Sequence, residues 1–175
     1  MSNADAVPFA TTSKVRETCL CLHLQSAARA VGRHFDAALR SLGLTNGQFS
    51  LLMSLNRPEP ASMGAIAALL AMDRTTLTAN LKPLERRDLV EVTVGVADKR
   101  SRRLRLTPAG GALLAAAVPV WAETHAAIER DLARTNPDEL RRDLRALSVQ
   151  EAGAASGNMR PSRRRFAPPQ DDVRL

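Results

Sequence analysis

The chain lacks the features that mark several large protein classes. It shows no window of about 18 apolar residues, so we expect no membrane span. Its first 20 residues have no basic start followed by an apolar run, so no secretory signal is expected. Only two cysteines occur, Cys19 and Cys21. They are too few and too close for a disulfide scaffold, which points to a reducing, cytoplasmic setting. A phosphate-cradling glycine loop, a zinc-ligand cluster and a catalytic triad pattern are also missing, so we expect neither an enzyme nor a cofactor. Lysine is scarce: of 25 positive charges, 22 are arginine. Against 18 acidic residues these give a net charge of +7. The arginine fork suits phosphates and base edges, so nucleic acid or another anionic surface is the expected partner.

The 175 residues suit one domain with extensions, and a hydrophobic content of 45% supplies a core. Residues 1–14 read as a disordered lead. From Val15 the pattern turns helical, with Leu20, Leu24, Ala27, Val31, Phe35, Leu39 and Leu42 on one face and Gly43 closing the helix. Thr45 and Gln48 have the spacing of a capping box, and Phe49, Leu52, Met53 and Leu55 follow as an apolar stripe. Ser62 is placed to cap a short helix, and Asp73 to cap the next, which runs to about Arg87. The period then changes. Leu89 to Val96, a basic turn from Ala97 to Ser101, and the alternating Leu104 and Leu106 predict a β-hairpin. Thr107-Pro108 starts a long helix to about Arg134, and Asn136-Pro137 starts another. Residues 152–175 gain Gly, Pro and Ser and carry Arg163-Arg164-Arg165, so they read as a basic disordered tail.

This order predicts a mainly α fold with a small β-hairpin wing: a winged helix-turn-helix over residues 45–106, flanked by dimerisation helices over 15–44 and 107–151. In that design the second helix of the turn enters the major groove and the hairpin lies along the backbone or in the minor groove. The segment from Arg74 to Lys82 alternates short polar side chains with the buried positions Leu77 and Leu81. Threonine and asparagine reach base edges closely, and asparagine can pair bidentately with adenine. The hairpin from Asp98 to Arg105 holds five positive charges and one negative, a density that favours a narrow minor groove over a merely solvated turn. Asp98 is read as a brace for a neighbouring arginine.

Two stretches make the reading specific. The run from Asp73 through Arg74-Thr-Thr-Leu-Thr-Ala-Asn-Leu-Lys82 to Val90, and Asp98-Lys-Arg-Ser-Arg-Arg-Leu-Arg-Leu-Thr-Pro-Ala-Gly110, resemble the MarR family of bacterial transcriptional regulators. The resemblance covers roughly residues 15–150. It implies a symmetric dimer, probing double-stranded DNA with two winged lobes at a pseudo-palindrome, and acting as a repressor of nearby genes. By position it assigns Arg74, Thr75, Thr76, Thr78, Asn80 and Lys82 to the reading helix and Asp98 and Arg100 to the wing. Arg102, Arg103 and the cap Ser62 complete the expected DNA-contacting set. Three departures stand out: Ala79 where similar sequences often carry arginine, Asp88 in place of a glycine, and Pro83 inside the reading helix.

The resemblance also implies a pocket for a small aromatic or lipophilic effector between the dimer helices and the winged lobe. Arg16, His23, Phe35, Phe49 and Met53 are the candidate lining, while Trp121 is read as a core or interface anchor. An alternative switch is redox. Cys21 stands where one branch of the family carries a reactive cysteine, which needs a low pKa and access. That branch holds its thiolate with tyrosines, and this chain has none; Phe35, Asn46 and Phe49 occupy the corresponding places. A metal site from Cys19, Cys21 and His23 is not expected, because residues two apart on a helix face opposite sides.

Overall fold

The computed structural model describes residues 7–94, 102–132 and 134–154. Eleven elements follow in chain order among these residues: α1 (Phe9–Thr18), α2 (Leu20–Leu39), a 3-10 turn (Arg40–Leu42), α3 (Asn46–Leu55), β1 (Ala61–Ser62), α4 (Met63–Leu69), α5 (Arg74–Arg86), β2 (Val90–Val94), β3 (Arg102–Leu106), α6 (Pro108–Arg130) and α7 (Pro137–Ala154). The fold is mainly helical with one small antiparallel sheet, in the strand order β1-β3-β2.

Several start and stop signals act as their chemistry requires. Thr45 and Gln48 form a complete capping box at α3, each side chain accepting the other's backbone N–H. Ser62 Oγ accepts from the Ala65 N–H at 3.1 Å, and Asp73 Oδ1 from the Thr76 N–H at 2.8 Å. Thr107 caps α6 with Pro108 at the first position, and Asn136 Oδ1 caps α7. Gly43 closes the 3-10 turn with φ of 65°, a left-handed conformation that glycine adopts without a Cβ clash.

Three expectations need correction. The lead is not irregular throughout residues 1–14, because α1 begins at Phe9, directly after Pro8. The first long helix is two helices. At Cys19 the backbone leaves the helical region (ψ 104°), next to Thr18, whose hydroxyl donates back to the Lys14 carbonyl at 2.7 Å. α6 ends at Arg130 rather than near Arg134. By length and composition alone α6 is apolar enough to cross a bilayer, with a mean hydropathy of 1.3 over its best window, although it holds no unbroken run of 18 apolar residues. Its alanine-rich composition, not a run of large apolar residues, produces that value. Leu114 and Ala117 bury against the core, which gives the helix an interior role. The wing turn at residues 95–101 and the basic tail beyond residue 154 lie outside the described residues.

The core belongs to the unit formed by residues 1–131. Phe35 and Leu39 from α2, Phe49, Leu51, Leu52 and Leu55 from α3, Ile66 from α4, Leu77, Leu81 and Leu84 from α5, and Leu104 from β3 are all buried. Burying a side chain of this size stabilises the fold by about 1.5–3 kcal/mol. β3 pairs with both neighbours, Leu104 opposite Ala61 and Val92 and Leu106 opposite Val90. That pairing fixes the hairpin to the core. α7 falls in the second unit, residues 132–175.

Candidate nucleic-acid interface

The helix-turn-helix is formed by α4 and α5. Between them Ala71 adopts a left-handed φ of 49°, and the Met72 N–H donates to the Ala67 carbonyl at 2.9 Å. Asp73 then starts α5. Its carboxylate accepts from the Thr76 N–H and, at 2.8 Å, from the Thr76 hydroxyl. These bonds hold the Asp73 carboxyl below the usual aspartate range.

Leu77, Leu81 and Leu84 bury the inner face of α5, so the helical period turns Thr75, Ala79, Lys82 and Arg86 outward. Arg74, Thr75, Thr78, Ala79 and Lys82 line one shallow hollow on that surface; Ala79, Lys82, Pro83, Glu85 and Arg86 line its neighbour. Arg86 belongs to this face, and the i, i+4 spacing from Lys82 could have found it.

Two residues of the expected reading set point elsewhere. Asn80 is half-buried; its Nδ2 donates to the Thr76 carbonyl at 3.0 Å, and its carboxamide fills the space above Gly47 of α3. Its place beside the apolar stripe explains this packing. Thr76 gives its hydroxyl to the Asp73 cap. Thr78 likewise donates its hydroxyl to the Arg74 carbonyl at 2.7 Å. Ser62 is engaged as the α4 cap.

On the wing, Arg105 and Glu91 stand opposite each other in register and form an exposed ion pair at 2.6 Å. Arg103 Nη1 donates to the Pro60 carbonyl at 3.4 Å, and Arg102 is exposed at the start of β3. Asp98 and Arg100 lie outside the described residues.

The wing is tied to the reading helix by a compact junction. Asp88 is left-handed, with φ of 55°, as expected for a residue in place of glycine. The Thr107 hydroxyl donates to the Asp88 carbonyl at 2.7 Å and accepts from the Gly110 N–H at 3.0 Å. Gly110 packs so tightly that a Cβ there would overlap the Leu89 carbonyl. The Leu-Thr-Pro-Ala-Gly sequence after β3 thus has a physical reason. Arg87 secures the other side by donating to the Gly43 and Leu42 carbonyls at 2.6 and 3.3 Å.

A third hollow, of about 450 Å³, opens between α3, α4 and α6. Phe49, Ser50, Met53, Ser54, Leu69, Leu70, Val118 and Trp121 line it. Of the expected effector-binding set only Phe49 and Met53 are brought together here. Phe35 is core, and Arg16 and His23 are exposed on α1 and α2, where His23 Nδ1 donates to the Cys19 carbonyl at 2.8 Å. Trp121 stacks on Phe49 at 6.3 Å between ring centroids and meets His125 at 4.9 Å. Cys21 is exposed, and Gln25 Nε2 donates to its sulfur at 3.4 Å. Among the described residues no cluster of His, Cys, Asp and Glu is arranged to hold a metal ion.

A helix-turn-helix with an adjoining hairpin and a basic outward face defines a winged-helix regulator. Residues 44–101 match the MarR family. The chain is 38% identical to the transcriptional regulator MosR of M. tuberculosis, solved in complex with DNA; the match covers 79% of this chain and 98% of that one, with a TM-score of 0.69. It is 30% identical to the transcriptional repressor CouR bound to a 23-mer DNA duplex, over 82% of this chain and 99% of that one, with a TM-score of 0.67. It is also 33% identical over 76 residues to the HTH-type transcriptional repressor NicR of Pseudomonas putida, a match that spans 43% of this chain and only 48% of that protein. The chain belongs to the MarR family. Its class is transcriptional regulator, not enzyme.

Proposed function

We propose that the chain is a homodimeric repressor that binds a pseudo-palindromic operator near its own gene. The observation that carries this reading is the outward face of α5, where Arg74, Lys82 and Arg86 frame Thr75 and Ala79 on a helix fixed by its cap and its buried stripe. The DNA complexes of MosR and CouR support it. Arg74, Thr75, Thr78 and Lys82 contact the duplex from the reading helix, and Asp98, Arg100, Arg102 and Arg103 act at the wing. Thr76, Asn80 and Ser62 serve by holding the helices in place.

The test is binding of the purified chain to its own upstream DNA against random duplex at about 0.15 M salt, where non-specific binding is weak. A preference of tenfold or more is expected; equal affinities overturn the reading. At the wing, Arg100→Ala should weaken binding by about 1–3 kcal/mol.

The release signal in this reading is a small aromatic or lipophilic effector seated in the hollow lined by Phe49, Met53 and Trp121. Titration of the DNA complex with uncharged aromatic compounds, with Met53→Trp as the blocked control, tests it. A second reading, a redox sensor acting through Cys21, draws on that thiol's exposure and its Gln25 donor. It expects Cys21→Ser to abolish release of DNA by peroxide; an undiminished response ends it.

A further inference from the structure

The middle of the reading surface exposes an alanine. The two hollows on α5 meet at Ala79 and Lys82. Around that point Thr78 has given its hydroxyl to the Arg74 carbonyl, and Pro83 adds a half-buried ring. Of the other polar side chains nearby, Thr76 and Asn80 are bonded to Asp73 and to the Thr76 carbonyl, while Thr75 and Glu85 line the two hollows. Lys82 stands beside Ala79 where the hollows meet, with Arg74 and Arg86 to either side. Between these cations the Ala79 side chain can make no hydrogen bond to a base edge. What Ala79 offers is a methyl group, and the major groove answers with one apolar group alone, the C5-methyl of thymine.

We propose that Ala79 seats a thymine C5-methyl in each half-site and so specifies an A·T pair under the middle of α5. The inference rests on the reading that α5 enters the major groove. Lys82 and Arg74 then neutralise phosphates on either side, and the short Ala79 side chain lets the helix axis lie close to the groove floor.

The test uses the full chain and a randomised duplex pool, from which its preferred sequence is selected. Each thymine is then replaced singly by deoxyuridine, which removes the methyl and nothing else. One thymine per half-site should show about threefold weaker binding, and about tenfold when both half-sites are changed together, the scale of one buried methyl each. Ala79→Gly should bind thymine and deoxyuridine equally at that position. In a fresh selection, Ala79→Arg should replace the thymine with a guanine. A deoxyuridine effect that survives in Ala79→Gly overturns the inference, and so does an Ala79→Arg selection that keeps the same thymine. A pool that yields no preferred sequence overturns the operator reading itself. A preferred sequence indifferent to deoxyuridine overturns this inference alone.

Discussion

Lys82 and Asn80 lie two residues apart on α5 and face different neighbours. Lys82 projects from the outer surface, whereas Asn80 turns to Gly47 of α3. Lys82→Ala should therefore weaken DNA binding about equally for all sequences and lower the salt slope by about one. Asn80→Ala should lower stability and leave the preferred sequence unchanged; a selection experiment checks both. Gly110 offers a sharper contrast. A methyl there meets the Leu89 carbonyl, a backbone atom that cannot swing aside, while Gly111 has nothing within 4 Å. Gly110→Ala should cost about 1–3 kcal/mol in denaturant unfolding. Gly111→Ala, which only removes glycine's excess chain freedom within a helix, should be neutral or stabilising by about 0.5–1 kcal/mol.

At the scale of elements, α5 depends on its cap. The Thr76 N–H and hydroxyl stabilise the charged Asp73, so its folded pKa lies below its unfolded one. A carboxyl depressed in this way adds stability at pH above the ordinary aspartate range, and that stability is lost as pH falls through the folded value. Asp138 behaves in the same direction because Arg141 donates to it. Asp73→Asn keeps a capping oxygen but cannot titrate. Its stability should fall less steeply than the parent's on the acid side, between about pH 5 and pH 2, as followed by helical circular dichroism. Caps of this kind are legible in a sequence because they are local: Thr45 with Gln48, Ser62, Asp73, Thr107 and Asn136 all read correctly. β1 was not legible, because two residues, Ala61 and Ser62, become a strand only by pairing with Leu104 and Arg103 far along the chain. The hollow at Trp121 was hidden for the same reason, since its walls come from three separate helices. The packing of Asn80 over Gly47 was not legible either, because a polar residue within a helix looks the same in sequence whether it faces solvent or a glycine on a neighbouring helix.

At the scale of the whole molecule, apolar surface is left over. The second half of α2 buries Phe35 and Leu39, but its first half and α1 leave Phe9, Val15, Leu20 and Leu22 exposed, Phe9 at 79% and Leu20 at 59%. α1 buries no residue at all. Apolar side chains exposed on α1 and around the start of α2 favour a partner, and isolated helices of ten residues are marginal in water. In the proposed homodimer a second copy of the chain would cover this surface, and its two-fold symmetry would match an operator with two half-sites. Leu20→Asp with Leu22→Asp leaves the buried core untouched and should convert a dimer into a monomer in light scattering. The link between two reading helices is then broken. Affinity for a palindromic duplex should fall by at least about a hundredfold, because the second half-site no longer binds at high effective concentration. Affinity for a single half-site should hardly change. If the double variant stays dimeric, the pairing runs through other surfaces; if it is monomeric yet binds the palindrome as tightly as the parent, the two half-sites are not read together.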